Sequence, residues 1–469
     1  MPKPGKRFKD SKEHKYGDFR GGGLNLSASE FYLKENEYAA CKNTCYERNG
    51  GRLRTLEPLD LVYTAAACVT AIFSSLAYGL FYVCGQSLYK FTNGVAAYLG
   101  ELNGTETPTF ADYGEETDRK VYIASGSVVQ YYDGSGLYTQ TPQPVDATNP
   151  SGDKWNSASD VLVREGRLLL ARSGKDRLKL SGVGDPTDWQ TEDNGEDVYT
   201  DADAVWVDIG YKQGGDIIRI VPVASDLIIF RTDGSLYRLS GTYPDWLAPQ
   251  IGSNVSPINR DSVVAIGDDA MFIDKDRGLR KVSYLKDTYN DLSIAEKEGT
   301  KINPYLAAHV TSNCRMWTLP DRGEVWIRPN SGNTVFTYNS RYEGWNIVNL
   351  GTEVTAACEV DGVVYLALGT KICTLNDEAA NVYLHPETSL SFAPIYSKDR
   401  VAAEYLQCRL GKDANAAAVL SVGGLTWALA DGRNTKYQMV IGDSLAPVLT
   451  ASGGSIVLDE FLMRTAEAV

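Results

Sequence analysis

Few residues in this sequence have the type and spacing that catalysis requires. A catalytic site needs a nucleophile, a base or a metal ion in a fixed constellation, and the 469 residues include only three histidines, His14, His309 and His385. So few histidines argue against a histidine-based triad and against a multi-histidine metal site. The motifs HExxH, GxSxG and GxxxxGK[ST] are missing, as is GxGxxG after a strand. We therefore expect a protein that is not an enzyme, with no catalytic residue, no metal ion and no cofactor.

Carboxylates are the remaining candidates for chemistry, because glycoside hydrolysis needs only two or three of them. The chain has 60 Asp and Glu residues. The acidic pairs Asp233-Gly234, Asp268-Asp269 and Asp361-Gly362 stand at predicted hairpin turns, where positive φ or local hydrogen bonding favours them. Asp274 and Asp276, close to the pair at 268–269, are candidates for calcium, but the strict loop spacing with a terminal Glu is missing. A structural role in turns is the favoured interpretation.

Two other patterns resemble binding motifs only superficially. The run Gly21–Gly23 follows a basic segment instead of a strand, and no helix starts directly after it, so we expect a flexible join and not a phosphate cradle. Eight cysteines are scattered along the chain, and only Cys41 and Cys45 lie close together. Without a second pair at metal-ligand spacing, they are predicted to be reduced and mostly buried thiols, in a protein that matures in a reducing cytosol.

Charge and hydropathy limit the possible partners. The 46 Lys and Arg residues against 60 Asp and Glu residues give a net charge of -14, so the surface as a whole repels nucleic acid and anionic lipid. Residues 61–89 carry no charge and are long enough to cross a bilayer. Because polar residues dilute this run and its second half is typical of strand, glycine turn and strand, we expect no stable membrane span.

A repeated β pattern organises most of the chain. Short β-branched or aromatic runs alternate with Gly, Asp or Asn turns from about residue 60 onward. Seven such units begin at Leu80, Val121, Val161, Ile217, Val263, Met316 and Val354. Their starts lie roughly 40 to 60 residues apart, which is the period of a three- or four-stranded blade.

This repetition predicts an all-β fold, a six- or seven-bladed β-propeller. A small antiparallel sheet cannot bury both faces alone, so copies must stack, and radial closure leaves only short protected edges. A β-sandwich or a pair of sandwiches is the alternative, since their strands recur at similar spacing.

Three regions follow from where the pattern begins and ends: an N-terminal arm and docking segment at 1–60, the β-propeller at 61–385, and a C-terminal β-rich domain at 386–469. The first 20 residues hold seven Lys or Arg residues without apolar periodicity, which predicts a flexible arm, either solvated or in contact with DNA or a neighbouring subunit. Helices are predicted at 35–43 and at the capping-box pattern Ser293–Glu296. The insertion 287–308 is expected to project from the propeller.

Several segments together resemble one known family. They are Gly17–Leu26, Leu33–Ala39, Gly50–Arg54, Leu180–Trp189, Tyr237–Gly241 and Asp274–Arg280. The first three are similar to the N-terminal signature of the tail nozzles of short-tailed bacteriophages, also called packaged-DNA stabilization proteins, and the others are similar to their blade elements. The signature departs from the family pattern in having three glycines and no Arg-x-Gly after the leucine.

The resemblance implies a structural virion protein of the viral tail. Such a nozzle forms a homohexameric ring below the head-to-tail connector, retains packaged double-stranded DNA, conducts it during ejection through a channel plugged by a needle or gate, and carries tailspikes or fibres outside. An acidic assembly suits a conduit, because it keeps the phosphate backbone from sticking. The alternatives are a propeller that acts as an interaction scaffold or receptor-binding protein, and a glycan-degrading propeller enzyme.

Overall fold

The computed structural model describes residues 8–92, 94–115, 118–144, 151–172, 174–189, 202–211, 213–285, 291–295, 299–377 and 382–468. Almost all regular structure in these residues is β. The N-terminal part contains six strands, β1 (Phe8–Tyr16), β2 (Gly23–Leu24), β3 (Glu37–Lys42), β4 (Thr44–Tyr46), β5 (Leu53–Thr55) and β6 (Leu59–Thr64). A single 3-10 turn, Glu30–Tyr32, precedes β3.

Six four-stranded antiparallel units follow in direct succession. The first three contain the following strands: blade 1, β7 (Val69–Ser75), β8 (Gly79–Cys84), β9 (Ser87–Thr92) and β10 (Val95–Glu101); blade 2, β11 (Thr109–Tyr113), β12 (Lys120–Ala124), β14 (Gln130–Tyr132) and β15 (Leu137–Thr139), with a separate ribbon of β13 (Ser127–Val128) and β16 (Ser157–Ala158); blade 3, β17 (Asp160–Arg164), β18 (Arg167–Ala171), β19 (Arg177–Leu180) and β20 (Val205–Asp208).

The next three blades contain the following strands: blade 4, β21 (Ile217–Val223), β22 (Asp226–Arg231), β23 (Leu236–Leu239) and β24 (Gln250–Gly252); blade 5, β25 (Val263–Ile266), β26 (Asp269–Ile273), β27 (Leu279–Leu285) and β28 (Asp291–Ala295); blade 6, β29 (Arg315–Leu319), β30 (Glu324–Arg328), β31 (Thr334–Asn339) and β32 (Gly344–Asn349). A 3-10 turn, Arg260–Ser262, leads into blade 5, and one helix, α1 (Asn303–His309), connects blades 5 and 6.

The seventh blade is composite and closes the ring. Its first three strands are β33 (Val354–Val360), which is the inner one, β34 (Val363–Leu368) and β35 (Lys371–Leu375), and its fourth strand is β6 from the N-terminal part. A short β36 (Val382–Leu384) pairs with the other side of β6. The inner strand of this blade packs against β7 of blade 1. The predicted all-β propeller is therefore confirmed, and the sandwich alternative is wrong.

The apolar runs that marked the blades are buried on both faces. In β22, for example, Leu227 and Ile229 pack toward blade 3, whereas Ile228 and Phe230 pack toward blade 5. Because side chains alternate between the faces of a strand, a strand covered on both sides becomes a continuous apolar run. Each blade thus provides half of two interblade cores, which is why a single blade could not be stable alone.

The C-terminal part has eight strands, β37 (Thr388–Phe392), β38 (Ile395–Lys412), β39 (Ala417–Val422), β40 (Leu425–Leu429), β41 (Gly432–Lys436), β42 (Val440–Leu445), β43 (Val448–Ser452) and β44 (Ile456–Ala468). It forms one β region together with the N-terminal strands. β1 pairs with β44, β5 pairs with β44, and β3 pairs with β37. Through β2, which pairs in parallel with both β3 and β32, this region continues the sheet of blade 6.

The predicted flexible arm is wrong for the described residues of the N-terminus. β1 is an integral strand, and the ring of His14 on it is buried with Nε2 3.1 Å from Thr465 Oγ1. The two residues are 451 positions apart in sequence, so no local pattern could predict their contact. Lys3, Lys6 and Arg7, the first basic residues of the predicted arm, lie outside the described residues.

Neither predicted helix forms in the described residues of its segment. Residues 37–42 form β3, and Ser293 lies in β28, the outer strand of blade 5, while Glu296 lies outside the described residues. Both segments form strands because pairing with neighbouring strands, on both sides for β3 and on one side for β28, outweighs their weak helical propensity.

The insertion between blades 5 and 6 packs inward where the structure describes it, so the expectation that it projects is wrong there. Ile302 and Leu306 are buried in the core that joins blades 5 and 6 to the C-terminal region. Among the described residues, no helix is long and apolar enough to cross a membrane. The uncharged run 61–89 instead spans β6 to β9 of blades 7 and 1.

Gly22 and Gly23 of the glycine run at 21–23 lie in a buried joint, so the expected flexible join is wrong there. Gly23 has φ +78°, and a Cβ on it would lie 2.7 Å from the backbone N of Trp345 and 2.9 Å from its carbonyl oxygen. A side chain at this position would therefore separate β2 from blade 6.

Replacing Gly23 with alanine tests this joint. Gly23→Ala should lower the free energy of unfolding by about 2–4 kcal/mol, because strain at positive φ adds to the overlap with Trp345. Gly424→Ala is the matched control, since Gly424 has φ +86° with no atom within 4 Å of its would-be Cβ, and it should cost only about 1 kcal/mol. Urea unfolding monitored by tryptophan fluorescence measures both, and equal losses would refute the joint.

Candidate functional site at the propeller axis

Charged side chains of the described residues surround a cavity at one end of the propeller axis. A cavity of about 640 Å³ opens there, at the end where the inner strands of the blades begin. Six charged residues from blade 6 and from three connections between blades line it: Glu106, Arg260, Asp261, Arg315, Arg328 and Glu353. Ligand and catalytic sites favour such concave positions, so the contacts of these residues decide what the cavity can do.

Arg315, the first residue of β29, connects four blades. Its Nη1 donates to the carbonyl oxygens of Thr70 at 2.9 Å and of Thr355 at 3.1 Å, which belong to blades 1 and 7. Its Nη2 donates to Thr107 Oγ1 beside blade 2 at 3.4 Å, and its Nε lies 3.6 Å from Asp261 Oδ2. One guanidinium thus holds the starts of several inner strands together.

Arg260, just before β25, reaches the opposite side of the axis. Its Nη1 donates to the carbonyl oxygen of Thr107 at 2.7 Å, and Nη2 donates to the carbonyl oxygen of Ser159 and, at 2.8 Å, to Asp160 Oδ1. Arg219 of β21 donates to the same Asp160 oxygen at 2.5 Å. Asp160, the first residue of β17, is buried. Because it pairs with both Arg219 and Arg260, it ties blades 3, 4 and 5 together.

Burial and charge act in opposite directions on these two arginines. Burial is the largest single effect on Arg260 and lowers its pKa, but the carboxylates of Asp160, Asp261 and Glu106 together outweigh it, so the pKa of Arg260 is raised. For Arg219 burial dominates over Asp160, and its pKa is lowered from its usual range. The buried aspartate is thus shared by two cations, which is the condition under which buried charge is tolerated.

Arg328, at the end of β30, has a similar structural role. Its Nη1 lies 2.5 Å from Glu353 Oε1 and donates to the carbonyl oxygen of Val354 at 2.7 Å, and its Nη2 donates to the carbonyl oxygen of Asn313 at 3.2 Å. Burial lowers the pKa of Arg328, with Glu353 opposing that effect. The three arginines that line the cavity therefore use their donors on backbone carbonyls and carboxylates of neighbouring blades.

These contacts leave the cavity poorly suited to acid–base catalysis. Glu106, Asp261 and Glu353 each lie within 4 Å of an arginine, at 3.8, 3.6 and 2.5 Å respectively. A glycosidase needs one protonated carboxylic acid whose pKa is raised. Burial raises the pKa of Glu359, but this residue is near the other end of β33, where its Oε2 accepts hydrogen bonds from the backbone N–H groups of Asp321 and Arg322.

The aspartates that the sequence suggested as candidate ligands or turn residues make structural contacts. Asp274 Oδ2 and Asp276 Oδ2 lie 3.0 and 2.8 Å from the guanidinium of Arg280, so the two proposed calcium ligands share a cation instead. Asp233 Oδ1 accepts a hydrogen bond from the backbone N–H of Ser235, as expected of an aspartate in a turn. Among the described residues, no group of three or more His, Cys, Asp or Glu side chains could hold a metal ion.

The cysteines are free and mostly buried, as predicted. All eight are free, six are buried, Cys358 is partly buried and Cys68 is exposed. Burial raises the pKa of Cys41 and Cys314 to about 12, so neither is a ready thiolate nucleophile. The arginines at the axis, by contrast, were missed, although Arg219, Arg260 and Arg315 each stand within three residues of the start of an inner strand.

No family model and no curated protein matches this chain. Among solved structures it is similar to the extracellular domain of the putative one-component system BT4673 from B. thetaiotaomicron, with TM-score 0.47, 12% identity and coverage of 83% of this chain and 57% of that one. It is also similar to PorZ of the type-IX secretion system of Porphyromonas gingivalis (TM-score 0.40, 11% identity, 81% and 46% coverage). A third is the β-propeller domain of Myceliophteria_thermophila Cps50 (Swd1) (TM-score 0.46, 10% identity, 68% and 99% coverage). The chain thus spans about half the length of the first two.

Substitution of Arg260 tests the structural role of the axial arginines. Arg260→Met removes the bridge to blades 2 and 3 and leaves Asp160 with one cation fewer, so it should lower the free energy of unfolding by about 3–5 kcal/mol. Arg20→Met is the control, because Arg20 is 60% exposed and pairs only with Asp18 among the ion pairs of the described residues, and it should cost less than about 1 kcal/mol. Chemical denaturation gives both values. A small effect of Arg260→Met would show that the axis does not stabilise the ring.

Proposed function

We propose that this protein is a non-enzymatic propeller that works as an interaction scaffold. The observation that carries this proposal is the state of the axial cavity, where arginines and carboxylates neutralise each other and bind backbone across the ring. Polar groups arranged in this way stabilise a platform and leave little free chemistry for a substrate. The outer surface of such a platform is then the part available to other proteins.

The specific scaffold that we propose is a tail nozzle of a short-tailed bacteriophage. The support is the resemblance of Gly17–Leu26, Leu33–Ala39 and Gly50–Arg54 to the N-terminal signature of that family. In this fold the same segments build the joint between blade 6 and the C-terminal β region, through β2, β3 and β5. The signature residues thus have an architectural role, as expected if they identify a family of structural proteins.

In this proposal six copies form a ring below the head-to-tail connector in the virion tail, and genome DNA passes along the axis of the ring. The axis of a single propeller cannot be the conduit, because Arg260 and Arg315 bridge it from blade to blade. DNA would therefore pass between subunits, past a surface that carries -14 per chain and repels the phosphate backbone. Connector proteins, and tailspikes, fibres or a needle, would be the other partners.

Mass measurement in solution and negative-stain imaging test the assembly. The nozzle proposal predicts a hexamer of about six times 51.3 kDa with a central hole. A monomeric disc at all concentrations would contradict the nozzle proposal, and only the scaffold proposal without a ring would remain.

The enzymatic alternative has its own test. Host surface polysaccharide incubated with the protein should release no sugar. Release that disappears in Glu106→Gln or Glu353→Gln variants, but persists in the control Glu115→Gln outside the cavity, would overturn the non-enzymatic proposal.

A further inference from the structure

One sheet of the C-terminal region has two free edges, formed by β1 on one side and by β41 and β42 on the other. Across its centre the order is β1, β44, β38 and then β41 and β42, which lie end to end along β38. Within the described residues, β1 pairs only with β44, and β41 and β42 pair only with β38. The outer backbone groups of residues 8–16 and 432–445 therefore take part in no ladder there.

The edge at 432–445 carries an apolar stretch that runs from the link between β41 and β42 into β42. Tyr437, Met439 and Ile441 alternate along it and are 81%, 46% and 41% exposed, whereas Val440 between them is buried. Proteins normally protect such edges with charges, prolines or short strands, because an open apolar edge pairs with another chain. Residues 437–441 contain neither a charge nor a proline.

The opposite edge has the complementary chemistry. β1 exposes Lys12, Glu13 and Lys15 on its described part. A lysine stem can cover an aromatic ring while its ammonium group lies over the ring face. Beyond the apolar stretch, Asp443 is 98% exposed, with Arg400 3.8 Å away as a weak partner, so it can accept a second cation.

A row of side chains on the solvent face already links the two edges. Glu13 Oε2 lies 3.4 Å from Arg464 Nη2, the Arg464 guanidinium lies 5.4 Å from the Tyr405 ring centre, and the Tyr405 and Tyr437 rings are 5.1 Å apart. The row begins with charge at β1 and ends with the open ring of Tyr437. If a second copy lay beside this edge, Glu13 at the charged end of its row would meet Tyr437 at the aromatic end of the first copy's row.

Strand direction permits this contact between identical copies. Every neighbouring pair from β1 to β42 is antiparallel, so β1 and β42 run in opposite directions. If copies are related by rotation about an axis along the strands, β1 of one copy lies antiparallel to β42 of the next. Such a contact joins two different surfaces, and a heterologous contact of this kind closes into a ring when the rotation allows it.

We propose that the edge formed by residues 432–445 binds β1 of a second copy of this chain by antiparallel strand addition, and that this contact joins the subunits of the ring. The proposal rests on the ring assembly proposed above and specifies its interface. Main-chain hydrogen bonds supply affinity, and Tyr437, Met439 and Ile441 supply the apolar contacts that select the register.

The test compares the mass in solution of the unmodified chain with that of the double variant Met439→Lys, Ile441→Lys. We expect the variant to associate at least about tenfold more weakly, because two charged ammonium groups would replace the apolar side chains that the contact buries. Leu247→Lys is the control, since Leu247 is 66% exposed on blade 4, away from both edges, and it should assemble like the unmodified chain. Near-ultraviolet circular dichroism checks that each variant is folded.

The outcomes separate this interface from the ring itself. A ring that persists in the folded double variant overturns the interface and leaves the nozzle proposal standing, whereas an unmodified chain that remains monomeric overturns both. If the double variant fails to fold, hydrogen exchange on the unmodified chain decides. Amides of 11–16 and 437–441 should become protected as protein concentration rises, and unchanged exchange there would overturn the interface.

Discussion

Closure of the ring is the constraint on which the rest of this structure depends. Each blade can bury its two faces only against its neighbours, so the first and last blades must meet. The chain achieves this with β6, a strand from before blade 1 that completes blade 7 by pairing with β35. Segments about 310 residues apart in sequence are thereby held in one sheet, and loss of this pairing would expose the cores on both sides.

The axial arginines serve the same constraint from the inside. Seven inner strands converge at the axis, and their first residues present carbonyl groups that need donors. Arg260 and Arg315 supply these donors across the axis, and Asp160 balances the charge of Arg219 and Arg260. The polar centre is therefore a consequence of packing blades radially, and its charged groups are occupied in binding neighbouring blades to each other. The scaffold proposal follows from this use of the charged groups.

The sequence predicted the propeller because the repeat is local. Each unit combines a period of two, an Asp or Gly turn and a second strand within about 40 residues, and all of these signals are read from neighbouring residues. Glu165 and Asp361, for instance, adopt positive φ immediately before a glycine, as hairpin turns require. The first two units are nevertheless predicted to begin late, at Leu80 and Val121, which lie in the second strands of their blades, because the inner strands β7 and β11 include small and polar residues instead of a strong apolar run.

The pairing of distant segments could not be predicted in this way. His14 on Thr465, β2 beside β32 and β6 beside β35 join residues hundreds of positions apart, and nothing in the local pattern of residues 8–60 distinguishes an ordered strand from a solvated arm. The basic composition of β1 favoured the arm, although its alternate residues His14 and Tyr16 are buried. The arginines at the axis were missed for a related reason, since their partners belong to other blades.

Hydrogen exchange of β6 tests ring closure most directly. If β6 completes blade 7, the amides of residues 59–64 that pair with β35 should exchange as slowly as those of residues 371–375, and both segments should lose protection together in mild denaturant. Rapid exchange of 59–64 while 371–375 and the other blades remain protected would contradict the closed propeller.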